Sequence, residues 1–516
     1  LDIFKFIKKI MGGSMDTESY ALNNVAHELL GEKKIEVDLK SLSDTWDNDP
    51  DSIGKFCSYN LHDAYLTHKL SSKLMPDIIE LVKIVGLPVY DSIRMGFSQL
   101  VEWYIMRQAP NYNEICPNKP NYDEVKKRRL ETFKGAFVFE PKPGLYKDLV
   151  VFDYRSLYPT IISSHNISPG TLNCDCCRDK EKVPDHPYWF CSKRKGFLPA
   201  VIEDLITRRM RIKEIIKKDN EKFTLLDARQ NSLKLLANSF YGYLGFFGAR
   251  WYSIESARSV TSYGRYYIQK VIKEAQEEGF NVLYSDTDSI FLSLDGKKKE
   301  EAGKFVESIN MELPGLMELE YEDFYPAGIF VSAKEGHYGA KKKYALMSEN
   351  GTMKIRGFEA IRRNWSFIAK EVQQQVLNII LKEDDKEKAF KYVRDVVEDM
   401  KKNNVDKDKV VIYTQLQKEI SDYDAVSPHV RAARRMENKG ISVGPGSLIK
   451  FIIVRGEGKI GEKARLPGEV EKADYDPEYY IKNQIVPAVE RIFNVLGYSK
   501  EELLESKEQS KLGSYF

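Results

Sequence analysis

The sequence contains no uninterrupted apolar run that is long enough to cross a lipid bilayer. Its first ten residues, Leu1 to Ile10, are amphipathic and end in charged side chains, and no small-residue cleavage site follows them. No secretory signal peptide is therefore indicated. These absences argue against a membrane protein and a secreted protein, and they predict an intracellular one.

A strong net charge is also missing. The 79 Lys and Arg residues nearly balance the 77 Asp and Glu residues, which gives a formal net charge of +2. The whole-chain charge therefore does not indicate a nucleic-acid partner, although surface acids can offset a locally basic groove. The abundance of Lys and Glu is compatible with a thermophile. At 516 residues the chain is too long for one core, so we expect several domains.

Cysteine is scarce, but four of the six cysteines cluster in one short segment. They are Cys174, Cys176, Cys177 and Cys191. This spacing is compatible with a thiolate Zn²⁺ site, with a disulfide, which inside a cell is typical of hyperthermophiles, or with free thiols. The adjacent pair Cys176 and Cys177 is awkward for tetrahedral zinc, so the pattern alone does not favour the metal.

Two acids lie in a polar turn between two apolar runs. The turn is Tyr284–Ser289, and it contains Asp286 and Asp288. A polar turn flanked by strand-like runs predicts a tight β-hairpin with both carboxylates at its tip. The alternative is an ordinary Asp-rich turn, since Asp and Ser favour turns through local hydrogen bonds.

A third acid makes that alternative less favourable. Asp153 ends the apolar run Leu149–Phe152, which is typical of a strand buried on both faces, and Pro159 prevents a central strand from continuing. Carboxylates at the ends of neighbouring strands form an oxygen site suited to Mg²⁺. Two such ions about 4 Å apart can activate a hydroxyl and stabilise a leaving oxygen in phosphoryl transfer.

Residues 199–246 are predicted to form two long helices joined near 218–223. Each helix carries polar side chains at a spacing that puts them on one face. They are Arg209 and Lys213 on the first helix and Lys234, Asn238 and Tyr241 on the second. Cations that face one side of a helix pair suit a triphosphate, and the alternative is a solvated basic face.

Four segments in order along the chain resemble the motifs of the family B DNA polymerases. They are Asp153–Pro159 (motif A), Lys234–Gly242 (motif B), Tyr284–Ser289 (motif C) and Lys341–Tyr344 (the primer-binding motif). Four ordered motifs are a specific signal, although each alone is weak. The similarity extends over essentially the whole chain and is greatest to the archaeal replicative branch.

The resemblance implies a multi-domain α/β (α+β) right hand with a mixed-sheet palm, helical fingers, a mostly helical thumb and an RNase H-like exonuclease remnant. The domain boundaries that it implies follow the motifs. We expect the C-terminal part of a 3′–5′ exonuclease domain at 1–85, palm at 86–198 and 247–336, fingers at 199–246, and a thumb with a clamp-binding tail at 337–516.

The implied function is template-directed DNA synthesis in replication, by two-metal-ion nucleotidyl transfer with Mg²⁺. By the resemblance, Asp153 and Asp288 hold both ions and Asp286 has a lesser role. A glutamate of the acidic strand that follows is expected near the second ion, and Glu320 is favoured over Glu322 for this position.

The resemblance also assigns residues to the substrates, which are dNTPs and primer-template DNA. The expected dNTP-binding residues are Tyr158, as a steric gate, together with Arg209, Lys213, Lys234, Asn238 and Tyr241. The expected DNA-binding residues are Lys341, Lys342, Lys343, Tyr344 and Arg356. Contacts to phosphates position a duplex without reading its sequence.

Tyr59 and Asp63 resemble the third exonuclease motif of the family. Their spacing puts both on one helix face, and on this pattern alone an ordinary amphipathic helix is the favoured interpretation. The first two exonuclease motifs would lie upstream of this chain. We therefore expect either that this part was removed or that it belongs to a separate N-terminal polypeptide, and no proofreading by the chain alone.

The last eight residues resemble the box with which archaeal polymerases bind a sliding clamp. The expected clamp-binding residues are Gln509, Leu512, Tyr515 and Phe516. The alternative is a frayed tail, as is common at chain ends.

Two other functions remain open. The chain could be a non-catalytic member of the same family, but Asp153 and Asp288, whose loss would indicate this, are present. It could also be a metal-dependent nuclease, since two-metal carboxylate sites cut DNA as well. The cationic helices and the segment Lys234–Gly242 have no purpose in a nuclease.

Overall fold

A computed structural model describes residues 1–504 except 13, 14, 16, 18, 36, 38, 179–181, 219–222, 335–337, 472 and 473. The chain divides into two compact units. The first contains Leu1–Phe137, Asp153–Lys273 and Phe305–Glu320, and the second contains Val138–Phe152, Glu274–Lys304 and Tyr321–Phe516. No helix among the described residues combines the length and the apolar character that a membrane span requires.

Helices and strands both contribute to the fold, as predicted. The longer helices are α1 (Leu22–Leu30), α2 (Gly54–Val85), α3 (Phe97–Gln108), α4 (Leu157–Ser164), α5 (Phe197–Lys218), α6 (Thr224–Leu244), α7 (Ile254–Glu277), α8 (Lys299–Glu312), α9 (Phe367–Asn378), α10 (Lys386–Lys401), α11 (Pro428–Asn438) and α12 (Val486–Val495). Shorter α-helices cover Ile3–Phe6, Leu42–Asn48, Val89–Ser92, Tyr122–Arg128, Pro477–Tyr480 and Lys500–Leu504.

Two sheets are present among the described residues. The strands are β1 (Val138–Phe139), β2 (Gly144–Tyr154), β3 (Asn281–Asp286), β4 (Ser289–Ser293), β5 (Leu319–Ser332), β6 (Gly339–Met347), β7 (Met353–Arg356), β8 (Ile412–Gln415), β9 (Leu448–Ile453) and β10 (Ala464–Arg465). The larger sheet has the order β1-β3-β4-β2-β5-β6-β7, and the smaller has the order β10-β9-β8. The pairs β1 with β3, β3 with β4, β5 with β6 and β6 with β7 are antiparallel.

In the first unit, α6 packs against α2, α3 and α5. Its buried residues recur every three or four positions, among them Leu233, Leu236, Phe240 and Leu244, which is the period of a helix with one apolar face. The predicted pair of long helices is therefore confirmed as α5 and α6. Their apolar faces are buried, so their polar side chains are left for other contacts.

The step from β2 to α4 shows why the chain changes direction after Tyr154. Leu149 to Phe152 are fully buried, as expected of a continuous apolar strand. Ser156 has a φ of 51°, and α4 starts one residue later. Pro159 lies in the first turn of α4, where its missing N–H would have no helical partner in any case.

In the second unit, the C-terminal region has a larger sheet content than its sequence indicated. The helices α9 and α10 agree with the mostly helical region that was expected there, and β9 is a strand in the same region. The short strands β8 and β10 pair with β9, and neither was predicted. Their buried side chains join one core with α9, α10 and α12.

Candidate active site

The predicted hairpin is confirmed. β3 and β4 pair with Asp286 opposite Ser289, which leaves Thr287 and Asp288 in the turn. Thr287 has a φ of 63°, and the Asp288 N–H donates a hydrogen bond of 2.7 Å to the carbonyl oxygen of Asp286. Both carboxylates therefore lie at the tip of the hairpin.

The tip is acidic and only partly neutralised. Burial raises the pKa of the half-buried Asp288 carboxyl above its usual value, and the negative charges of Asp286 and Glu322 act in the same direction. Lys342 Nζ lies 3.2 Å from Asp286 Oδ1, and Lys354 Nζ lies 2.7 Å from Glu322 Oε1. We call Asp286, Asp288 and Glu322 the carboxylate cluster. Carboxylate oxygens are the ligand type that suits a hard divalent cation.

Aromatic packing fixes the base of the hairpin. Tyr284 contacts Phe330 and Tyr344 with ring centroids 5.9 Å and 5.7 Å apart, and its hydroxyl accepts a hydrogen bond of 3.0 Å from the Lys342 N–H. Gly357 lies close to the same backbone, since a Cβ atom there would come within 2.0 Å of the Lys342 carbonyl oxygen. The position of Lys342 beside Asp286 is thus determined by the fold.

Asp153 is the penultimate residue of β2 and is half-buried. β2 lies between β4 and β5 in the larger sheet, and β4 begins with the residue that follows Asp288. β2 is therefore the neighbour of the hairpin strand β4 in the sheet order, and a shared metal site of Asp153 and Asp288 stays a prediction.

Glu320 has different partners from Glu322. Arg155 Nε donates a hydrogen bond of 2.7 Å to Glu320 Oε1, and Lys213 Nζ lies 4.0 Å from the same oxygen. Burial opposes ionisation of Glu320, but the hydrogen bonds and charge of Arg155 outweigh it and lower the pKa of the carboxyl. Glu318 forms a second ion pair with Arg155. The acid that acts electrostatically on Asp288 is Glu322, whereas the sequence favoured Glu320 beside the metal.

The alternating pattern of the sequence predicts that Glu318, Glu320 and Glu322 lie on one face of a strand. It does not predict which of these acids pair with cations. Arg155, which pairs with two of these acids, was not singled out from the sequence. Its position two residues after Asp153 was the available signal. A role for Glu320 as a metal ligand stays a prediction.

The polar side chains that were predicted on one face of the helix pair differ in their contacts. Arg209 Nε donates a hydrogen bond of 3.4 Å to Gln230 Oε1, which joins α5 to α6. Burial lowers the pKa of Arg209 and of Lys213, and in both cases the charge of Glu320 opposes the shift. Lys234 and Asn238 are exposed on α6. The structure thus leaves both of these side chains accessible to a ligand.

Two tyrosines from separate helices are brought together. The rings of Tyr158 on α4 and Tyr241 on α6 have centroids 4.4 Å apart. Gly264 on α7 leaves room for this pair, because a Cβ atom there would lie 3.2 Å from Tyr158 Cε1. Both tyrosines were assigned to the nucleotide, and their contact is consistent with one binding surface.

The segment Lys341–Tyr344 is divided between surface and core. Lys341 and Lys342 are exposed. Lys343 is buried, and its Nζ lies 2.6 Å and 2.8 Å from the two carboxylate oxygens of Glu359. Burial lowers the pKa of Lys343 to about 8, against the effect of Glu359. Lys343 and Tyr344 are both buried, because the strand is covered on both of its faces from Lys343 to Met347, so the structure gives no support to the predicted phosphate contacts of these two side chains.

A family model described as DNA polymerase family B matches residues 87–496. The chain belongs to this family. The resemblance inferred from the four motifs is thereby confirmed, and the matched range includes Asp153 and the carboxylate cluster.

Individual relatives agree with this assignment. The chain is 42% identical to the DNA polymerase of Pyrococcus glycovorans over 511 residues, which cover 97% of this chain and 64% of that protein. It is 40% identical to the DNA polymerase of Thermococcus gorgonarius, with 100% of this chain and 66% of the relative covered. The chain thus spans less than two thirds of the length of these relatives.

A solved structure is also similar. The family B DNA polymerase from Pyrobaculum calidifontis matches with a TM-score of 0.70 and 34% identity, over 97% of this chain and 64% of that one. At this identity the likeness extends beyond the fold to the family.

In this family B chain, the helix α2 carries Tyr59 and Asp63. Lys34 Nζ lies 2.8 Å from the Tyr59 hydroxyl and 2.6 Å from Asp63 Oδ2. The two side chains therefore share a face, as predicted, and both contact one lysine. An exonuclease ancestry for this helix stays a prediction.

Two further assignments concern the cysteines and the C-terminal tail. All six cysteines are free thiols in the structure, so the disulfide alternative finds no support there. The predicted clamp-binding residues Gln509, Leu512, Tyr515 and Phe516 lie outside the described residues.

Proposed function

We propose that this chain is the catalytic part of a template-directed DNA polymerase that adds dNTPs to a primer 3′-hydroxyl and releases pyrophosphate. The observation that carries the proposal is the carboxylate cluster at the β3–β4 tip, in a sheet where β2, the strand that carries Asp153, is the neighbour of β4. The family assignment supports the same activity. The place of action is inside the cell, where the template is.

We assign Asp153 and Asp288 as the ligands of two Mg²⁺ ions and give Asp286 a lesser role. The donors fit the ion in kind, since carboxylate oxygens are ligands that Mg²⁺ prefers, and the charge around Asp288 is incompletely neutralised. When bound, the ions would lower the charge on the reacting phosphate oxygens and activate the primer hydroxyl. Lys342 holds the Asp286 carboxylate in place. Glu322 is a better candidate than Glu320 for a further acid at this site.

The triphosphate is assigned to the helix pair. Arg209, Lys213 and Lys234 would offset the charge on its oxygens, as cations do in other phosphoryl-transfer sites, and Asn238 lies on the same face of α6 as Lys234. The ion pair of Lys213 with Glu320 spans 4.0 Å, which is long enough for the lysine to exchange its partner for a phosphate.

We assign Tyr158 as the steric gate beneath the sugar of the incoming nucleotide. Tyr241 contacts its ring and limits the positions that this ring can take. A gate needs such support, because a tyrosine that is free to rotate would admit a 2′-hydroxyl.

The primer-template duplex is assigned to exposed cations of the second unit. Lys341, Lys342 and Arg356 are exposed, and contacts from such residues to phosphates would hold the duplex without sequence preference. The C-terminal tail from Gln509 to Phe516 is proposed to bind a sliding clamp, which would raise the effective concentration of the enzyme at the primer.

Primer extension tests the proposal against a nuclease. Purified chain is incubated with a labelled primer-template and Mg²⁺, with and without the four dNTPs. We expect elongation only with dNTPs, and its loss in Asp153→Asn but not in the control Glu349→Gln, which changes an exposed acid that pairs with Lys299. Shortening of the DNA by wild type, abolished by Asp153→Asn, would identify a nuclease instead.

A further inference from the structure

Four thiols of the first unit converge on one point. The Sγ atoms of Cys174, Cys176, Cys177 and Cys191 all lie within 4.8 Å of one another. Cys176 Sγ is 3.7 Å from the Sγ atoms of both Cys174 and Cys177 and 3.6 Å from that of Cys191. We call these residues the cysteine cluster. The polymerase function proposed above does not use it.

These separations are those of a tetrahedral metal site. A Zn–S bond is about 2.3 Å long, so the edge of a tetrahedron of four sulfurs around zinc is about 3.8 Å. The three distances from Cys176 match this edge. A four-iron cluster needs more widely spaced thiolates, because its own iron and sulfide atoms occupy the centre. The compact arrangement therefore selects a single ion.

The backbone brings the ligands together from two short segments. Cys174 directly precedes the 3₁₀ turn Asp175–Cys177, so three thiols come from one tight turn. The adjacency of Cys176 and Cys177 is no obstacle, since their Sγ atoms already form one edge of the tetrahedron. Cys191 belongs to the second segment, and its N–H donates a hydrogen bond of 2.9 Å to the Thr171 carbonyl oxygen, which holds it beside the turn.

Hydrogen bonds support the thiols themselves. Ser192 Oγ lies 3.5 Å from Cys177 Sγ, and backbone groups of Lys193 and Arg194 hydrogen-bond Cys191. Trp189 Nε1 donates a hydrogen bond of 2.9 Å to the Cys174 carbonyl oxygen. Groups that orient ligands in this way are typical of metal sites in proteins.

We propose that the cysteine cluster binds one Zn²⁺ through four thiolates, in a closed site that keeps no position for substrate. Binding displaces four thiol protons and leaves a complex with a net charge of −2, which the flanking Lys193 and Arg194 offset. The role is structural, because a zinc with four protein ligands has no open position for chemistry.

The site would fix the entry to α5. Asn166 Nδ2 donates hydrogen bonds of 2.6 Å to the Cys191 carbonyl and 2.8 Å to the Arg194 carbonyl, and its Oδ1 accepts one of 2.7 Å from the Gly196 N–H. Gly196 directly precedes α5, the helix that carries Arg209 and Lys213. Zinc would therefore stabilise the base of the proposed triphosphate surface without contacting the substrate.

Metal analysis of the purified full chain tests the site. We expect one zinc per chain by mass spectrometry, and loss of most of it in Cys176→Ser and Cys191→Ser. The matched control is Cys116→Ser, which changes a cysteine outside the cluster. Removal of zinc from wild type should lower Tm, because metal binding contributes to folding free energy. Primer extension at low temperature should survive this removal, so failure here and failure of the polymerase proposal are distinguishable.

A second measurement does not depend on the variants folding. Co²⁺ exchanged into wild-type protein should give thiolate charge-transfer absorption and the intense visible bands of a tetrahedral ion. Iron in place of zinc, with a visible spectrum as purified, would overturn the choice of metal. A metal-free chain with six titratable thiols and no cobalt spectrum would overturn the site, as would a chain with only four titratable thiols in the absence of reductant.

Discussion

The carboxylate cluster and the cysteine cluster are both sets of metal-type ligands to which one short turn contributes most members, but their charges are balanced differently. Asp288 is half-buried among other acids, and its pKa is raised by burial and by their charges. The thiols of the cysteine cluster contact one another and are supported by hydrogen bonds from serine and backbone groups. In the carboxylate cluster the negative charge is not fully neutralised, so an exchangeable cation and the substrate would stabilise it. The cysteine cluster would be complete with the one zinc ion that we propose.

The largest effect is expected at the hairpin tip, where a substitution should lower activity without lowering stability. Asp288→Asn should lower kcat for primer extension by about 10⁴-fold, or about 5.5 kcal/mol, because it removes a ligand of the reacting ions. The free energy of unfolding should stay equal or rise, since the repulsion of Asp288 by Asp286 and Glu322 is relieved. Single-turnover extension and urea unfolding measure the two quantities.

Asp286→Asn provides the internal comparison for that experiment. Its carboxylate already has Lys342 as a partner 3.2 Å away, so the loss of activity should be smaller than for Asp288→Asn. Equal losses would show that both acids bind the ions directly, and near-normal extension by Asp288→Asn would contradict the metal assignment.

The next largest effect concerns stability beside the same cluster. Lys343→Ala should lower the free energy of unfolding by about 3–5 kcal/mol, because it leaves the buried Glu359 carboxylate without its cation. The matched control is Lys342→Ala, an exposed lysine one residue earlier, which should cost less than about 1 kcal/mol. Denaturant unfolding of both variants measures the difference. Similar losses would mean that the Lys343–Glu359 pair is not closed to water.

The β3–β4 hairpin and the segment Lys341–Tyr344 show which features the sequence could and could not predict. Local patterns were sufficient for the β3–β4 hairpin, the pair α5 and α6, and the strand before Asp153, because periodicity and turn chemistry act over a few residues. The segment Lys341–Tyr344 was assigned as a whole to DNA, yet its second half faces the core. Which strand face is buried depends on β5 and β7, and on Glu359 farther along the chain.

The same limit applies to the acids and to the thiols. Arg155 and Glu320 are 165 residues apart in the chain, so no local pattern predicts their pairing. From the sequence, the adjacent residues Cys176 and Cys177 were expected to fit a tetrahedral zinc site poorly. The 3₁₀ turn at Asp175–Cys177 places their Sγ atoms 3.7 Å apart, which is close to the edge length of such a tetrahedron. For the carboxylate cluster, a partner that is distant in sequence decides the charge balance, since Lys342 pairs with Asp286.

A smaller effect is expected on sugar selection at Tyr158. Tyr158→Ala should reduce the preference for dNTPs over rNTPs by about 10- to 100-fold, or about 1.4–2.7 kcal/mol, because the space taken by the ring becomes available to a 2′-hydroxyl. Tyr158→Phe is the control and should retain the preference, since the ring remains. Competition between dNTP and rNTP on one template measures the ratio, and an unchanged ratio in Tyr158→Ala would place the gate elsewhere.

The smallest effect distinguishes two acids that are two residues apart. Glu322→Gln removes a charge that acts on Asp288, so it should lower extension by about 10-fold, or about 1.4 kcal/mol, and shift the Mg²⁺ dependence to higher concentration. Glu320→Gln instead removes a partner of Arg155 and Lys213, which frees both cations. It should change the apparent KM for dNTP and leave the Mg²⁺ dependence unaltered. Mg²⁺ titrations of the two variants at saturating dNTP measure this contrast. If Glu320→Gln were instead the variant that shifts the Mg²⁺ dependence, the acid nearest the ions would be Glu320, as the sequence favoured. The carboxylate cluster would then include Glu320 in place of Glu322.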